Sequence, residues 1–279
     1  MLPIGLAAWR TLLAAAGMWL VYLLFGRKYI YIYPVGLMGC ITVGAVNGFG
    51  SLLYYTGLVR VDAGVGQMVY SLYPLFLVIM LRLDGHRFSG LTLFRILLAT
   101  VAVALLSQAG DRPVDIVGLG LMLAAGALYA LHLAVSQRVS YEMPAQTLAL
   151  YALTSMAVVV GVAYLLEGWA SVPPAAWEPT AGLALVTIGS RLGTFLGVKR
   201  LGSMQTALIG IAEILVTLLL ALTLLNEALS PRQWIGAAML IGSLLLIGRE
   251  PTLGSPIKLR SKPRKAPSAL SSTIVVGTK

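Results

Sequence analysis

The chain has 279 residues, 58% of them apolar and only 11% charged. A soluble domain carries about 25% charged residues, so this chain has too little polar surface to cover a globular body in water. It is also far too hydrophobic for a disordered protein. The net charge of +10 is local: residues 249–279 hold seven basic side chains against Glu250, which leaves +4 for the rest. That distribution gives no reason to expect a nucleic-acid partner. One cysteine, Cys40, allows no intrachain disulfide.

A helix needs about 20 apolar residues to cross a bilayer core roughly 30 Å thick. Long unbroken apolar runs, in place of short alternating ones, predict helices and not a barrel. Nine runs follow in chain order, and the expected fold is an all-α integral membrane protein with nine transmembrane helices. The first, 4–25, is followed and not preceded by Arg27 and Lys28, which argues against a cleavable signal peptide. The second, 35–58, carries Asn47, and the third, 63–82, carries Gln67, Tyr70, Ser71 and Tyr73. The fourth, 89–108, holds Arg95, read as a snorkelling side chain. The fifth, 116–137, holds His132 one turn from Tyr129; the sixth spans 146–166. The seventh, 178–198, contains Arg191, the eighth, 203–225, contains Glu213, and the ninth is 231–248. The connections are short, such as "RVD" at 60–62 and "GDRP" at 110–113, and none could hold a soluble domain. The Pro- and Ser-rich tail 249–279 reads as a basic, disordered cytoplasmic segment.

Alternating the loops between two faces puts Arg27, Lys28, Arg82, Arg87, Arg138, Lys199, Arg200 and Arg249 on one side, and Arg60, Arg112 and Arg232 on the other. Positive charge marks the cytoplasmic face, so the C-terminus is expected inside. An internal repeat appears at a spacing of about 140 residues. "TGLVRVDAGVGQMVYSLYP" (56–74) lies against "LGVKRLGSMQTALIGIAEI" (196–214), pairing Gly57 with Gly197 and Arg60 with Arg200. The paired arginines fall on opposite faces, the pattern of an inverted repeat. Inversion requires an odd number of helices per unit. The expected organisation is therefore a four-helix first repeat (1–110), a five-helix second repeat (111–248) and the tail, a ten-helix layout lacking its first helix.

Three segments resemble a known family. "AAWRTLLAAAGMWL" (7–20) is similar to the arginine-bearing second helix of EamA-type members of the drug/metabolite transporter superfamily. "MVYSLYPLFLVIMLRLDGHRFS" (68–89) resembles their fourth helix and the turn after it, and "IAEILVTLLLALTLLNEALSPRQWIGAAMLIGSLLLI" (211–247) resembles their ninth and tenth. The resemblance implies five-plus-five inverted helices and alternating-access transport, without a cofactor.

Ionisable residues inside a bilayer are costly and mark function. Arg191 and Glu213 sit about 12 and 15 Å from the cytoplasmic edge by helical rise, at one level on neighbouring helices. Thr206, Gly210, Glu213 and Thr217 recur along one helix face, as do Thr187, Arg191 and Thr194. Two readings stand for the charged pair: a substrate- and proton-handling site, or an ion pair that holds two helices together. Tyr73 is the repeat partner of Glu213 and the first-half candidate. Asn47 is a semi-polar candidate, and His132 is either a ligand or a packing side chain. Trp9 and Arg10 read as an interfacial anchor.

His86 and His132 stand on different spans, and no Walker-type Gly-Lys-Ser/Thr run occurs. These absences argue against an intramembrane enzyme and against nucleotide-driven transport. The expected function is secondary transport of small metabolites, amino acids or related compounds, in the export direction at the plasma membrane. The alternatives are a nucleotide-sugar or lipid-linked sugar carrier and, from another class, a non-transporting membrane receptor or structural protein or an intramembrane enzyme. The expected partners are a small-molecule substrate and the lipid bilayer, with a homodimer admitted; no metal is expected.

Overall fold

The computed structural model describes residues 3–61, 63–86, 88–106, 115–167, 177–224 and 230–246. The tail 249–279 and the turn at 110–113, both given roles above, lie outside the described residues. All the regular structure described is helical: α1 (Pro3–Phe25), α2 (Pro34–Arg60), α3 (Ala63–Tyr70), α4 (Tyr73–Leu83), α5 (Gly90–Leu106), α6 (Ile116–Glu142), α7 (Ala145–Leu166), α8 (Trp177–Leu201), α9 (Ser203–Gly210), α10 (Glu213–Leu224) and α11 (Pro231–Leu245). Counting α3–α4 and α9–α10 as two interrupted rods gives nine helical rods among the described residues. Six are long and apolar enough to cross a membrane: α1, α2, α3–α4, α6, α7 and α8. Within the described residues α5 runs for 17 and α11 for 15, and the ends of the expected runs 89–108 and 231–248 lie outside those residues. The chain is a multi-pass membrane protein.

Local chemistry sets the helix ends. Asp115 caps α6 by accepting from the Val117 amide at 2.9 Å. Ser230 and Gln233 form a reciprocal capping box at α11, with Pro231 in the first turn. α6 stops where Met143 turns extended (φ −127°, ψ 150°), the conformation that a following proline imposes. That proline, Pro144, begins α7 after a two-residue turn. Gly202 separates α8 from α9 at φ +86°, where a side chain would be strained.

The third and eighth runs were expected to be continuous, and both are broken. Near Ser71 the amides of Leu72 and Leu75 reach back three residues, to Val69 (3.2 Å) and Leu72 (2.9 Å). Near Ile211 the amides of Ala212 and Leu215 do the same, to Ile209 (2.9 Å) and Ala212 (3.0 Å). The two patterns coincide at an offset of 140 residues. Pro74 accounts for the first break, because it has no N–H for the Tyr70 carbonyl. The second break has no proline; Gly210 stands there with its α-carbon face against the Tyr73 hydroxyl.

Apolar side chains gather in two main clusters. One joins α4, α5, α6, α9 and α11 through residues such as Leu77, Ile96, Leu208 and Leu240. The other joins α1, α2, α7 and α8 through Met18, Val43, Leu148 and Phe195. α6 lies mainly against α2, α3 and α4, helices that precede α5 in the chain. It is tied there at both ends, by Arg60 to Asp115 (3.3 Å) and by Arg138 to Asp84. Gly57 of α2 meets Met122 and Gly118 of α6, and Gly44 presses on the Ala152 backbone of α7. On α8, the repeat counterpart of α2, Gly182, Gly189 and Gly193 have open space beside them.

Candidate functional site

Between the broken rods and the long helices lies a cavity of about 300 Å³. α2 contributes Asn47, Ser51, Tyr54 and Tyr55, and α3 contributes Gln67 and Tyr70. Arg10 enters from α1, Tyr129 from α6, Arg191 from α8 and Glu213 from α10, directly after the second break. The site is assembled by both halves of the chain, and its three formal charges come from three helices.

The charges are held by neutral groups. With its carboxamide oriented to satisfy its neighbours, Asn47 Oδ1 accepts from Arg191 Nη1 at 2.9 Å and from Nη2 at 3.1 Å. Arg191 Nη2 also lies 3.7 Å from the Met156 sulfur. The Arg10 guanidinium stands 5.9 Å above the Tyr55 ring, a cation–π contact. Glu213 is hydrogen-bonded by the Gln67 side chain, and the Tyr54 hydroxyl donates to Gln67 Oε1 at 3.5 Å. Aromatic rings line the rest: Tyr54 packs on Tyr70 (5.0 Å between centroids), and Tyr70 on Tyr129 (5.7 Å).

The expected site residues separate into two groups. Arg191, Glu213 and Asn47 line the cavity. Tyr73 stands behind it, edge-on to Tyr129 at 4.9 Å, with its hydroxyl donated to the Ala207 carbonyl at 2.6 Å. His132 is fully buried, stacked on Tyr129 at 5.8 Å with Nδ1 3.0 Å from the Val43 carbonyl. It supports a wall residue and does not itself face the cavity. Thr187 and Thr206 spend their hydroxyls on their own helices, at the carbonyls of Leu183 (2.7 Å) and Gly202 (2.8 Å). The side chain of Thr217 is outside the described residues.

Two arginines differ from expectation. Arg10, read as an interfacial anchor, lines the cavity. Arg95 does not snorkel: it is 0% exposed, donating Nε to the Ser243 carbonyl (3.1 Å) and Nη1 to Gln205 Oε1 (3.1 Å). It pins α5 to α11 and α9. In both cases distance from a helix end was an inadequate guide, because the face a residue takes decides where a long side chain goes. The aromatic wall was also missed, although Asn47, Ser51 and Tyr54 recur at i, i+4 and i+7, one helix face. Adding the repeat offset of 140 to Ser51 gives Arg191, so repeat-related positions face the same cavity.

Residues 116–249 match the EamA-like transporter family. No curated protein matches the chain. Among solved structures, 29 chains match. One, a crystal structure of a protein, superposes with a TM-score of 0.73 at 20% identity, over 89% of this chain and 87% of that one. At that identity the likeness concerns the fold alone.

Proposed function

Because the chain carries an EamA-like transporter family domain (residues 116–249) of the drug/metabolite transporter superfamily, we propose that it is a secondary transporter that moves small metabolites, amino acids or related compounds, outward across the plasma membrane by alternating access. The observation that carries this reading is the cavity itself. It holds ionisable groups among apolar helices, beside two helices broken at positions 140 residues apart. Interrupted helices around a site between two related halves are how many secondary transporters bind and release substrate. The reading takes the nine rods as spans of a five-plus-five inverted layout with residues 1–110 and 111–248 as the two repeats, the C-terminus cytoplasmic, and is compatible with pairing of two copies. Transport, and not catalysis, is the activity it assigns.

Within that reading Arg191 anchors the substrate and Glu213 takes up and releases a proton or competes for the cationic end of the substrate. The two guanidiniums would also suit a nucleotide sugar, but about 300 Å³ is the lower end of the range for ligand cavities, roughly 300–1,000 Å³. The full chain in proteoliposomes, offered labelled amino acids and small organic acids with and without a pH gradient, tests the proposal. At least one compound should move, and Glu213→Gln should lose the gradient-driven part. Normal transport by Glu213→Gln at every pH would remove Glu213 from coupling, and no transport of any compound by the wild type would overturn the reading.

A further inference from the structure

We propose that Arg10 and Arg191 together form a carboxylate-binding subsite, so that the transported molecule is a small carboxylate held by two guanidiniums that line one cavity. The inference rests on the transporter reading and adds the substrate class and a second binding residue, Arg10.

Three observations carry it. Both guanidiniums line one cavity of about 300 Å³, where burial weakens the screening of like charges. Each is held in place by a group that fixes its position and leaves its charge: Asn47 on Arg191 and the Tyr55 ring under Arg10. Finally, Arg10 lines the cavity while its Nε is buried with no acceptor among the described residues, so no protein oxygen is bonded to that edge of the guanidinium. An anion placed between the two relieves their repulsion and accepts the donors that Asn47 and Tyr55 do not use.

The geometry of the donor suits a carboxylate. A guanidinium presents a planar fork that matches two carboxylate oxygens, and two forks can share one such group. Glu213 lines the same cavity and sets the charge limit. With two positive groups and one negative, a monoanion leaves the site neutral, whereas a phosphate dianion would overshoot and face the Glu213 carboxylate. The tyrosine rings that line the cavity offer apolar surface to the body of the substrate.

The probes are 3-phenylpropionate, L-phenylalanine, L-phenylalaninamide and phenyl phosphate, titrated against the full chain in lipid nanodiscs with thermal stabilisation and equilibrium binding as readouts. The two carboxylates should bind at least tenfold more tightly than the amide. Arg10→Gln and Arg191→Gln should each weaken carboxylate binding by tenfold or more, with Arg10→Lys in between, while leaving amide binding nearly unchanged. Equal binding of carboxylates and amide overturns the subsite, and so does tighter binding of phenyl phosphate. The wild-type series decides this even where a variant fails to fold. Equal binding together with transport of other compounds would remove the clamp and keep the transporter; carboxylate-selective binding with no transport of any compound would keep the clamp and remove the transporter.

Discussion

The Tyr73 hydroxyl crosses from the first broken rod to the second, donating to the carbonyl of Ala207 at 2.6 Å. Its counterpart at the 140-residue offset is Glu213, which is hydrogen-bonded by Gln67, the counterpart of Ala207. Each rod thus sends the residue after its break to the same position on the other. One link ends on a backbone carbonyl and the other on an ionisable side chain facing the cavity. The first is fixed by backbone geometry; the second can change with protonation or substrate.

Tyr73→Phe removes the first link and keeps the ring against Tyr129. The expected loss of stability is about 1 kcal/mol, read as a lower unfolding temperature in detergent, with slower transport at unchanged substrate affinity. An unchanged transport rate would show that this bond does not couple the two rods during turnover.

Asn47→Asp replaces the neutral partner of Arg191 with a carboxylate of the same shape. The folded chain should be no less stable, because an ion pair replaces a charge-assisted hydrogen bond to a neutral amide. The KM for the transported compound should rise at least tenfold, since the substrate then competes with Asp for the same guanidinium. Transport kinetics across a substrate series checks this, and an unaltered KM would mean Arg191 does not meet the substrate.

Gly44→Ala should destabilise the chain by about 1–3 kcal/mol, because the new methyl runs into the Ala152 carbonyl and Ser155 of α7. Gly189→Ala, where nothing lies within 4 Å, should leave stability within about 0.5 kcal/mol of wild type. Comparing the two unfolding temperatures tests whether the glycines of α2 serve close packing of helices.

Asp115, outside the membrane-spanning part of α6, has its carboxyl held below the usual range, first by the Val117 amide and then by Arg60. A depressed folded-state value means its contribution to stability is present above the unfolded carboxylate range, near pH 4, and is lost as pH falls through the folded value. Asp115→Asn keeps a capping oxygen and removes the titration. The variant should lose less stability than wild type between pH 5 and acid conditions, as read by unfolding temperature against pH; parallel curves would show that Asp115 does not contribute.

How much of this was legible in the sequence follows from what each feature costs in a bilayer. Arg191 and Glu213 stood out because charge within an apolar run is rare, and both line the cavity. The breaks were invisible at Ile211-Ala212, where ordinary apolar residues give no local signal, and only half-visible at Pro74. Arg10 and Arg95 were misread for a common reason: α1 and α5 are apolar on every side, so neither sequence shows which face meets protein and which meets lipid. That choice is made by packing between distant segments. The same holds for the wall of tyrosines, which two stretches of chain far apart bring together.

Synthesis runs in one direction, and α6 emerges after α1–α5. Until residue 142 has entered the membrane, the Gly57 face of α2 has no protein against it, and Asp84 waits for Arg138. The first half therefore cannot reach its final packing as a finished unit before the second begins. A chain severed between α5 and α6 would separate α2 from the helix that seals it. The boundary that matters for assembly lies after α6 and not after α5.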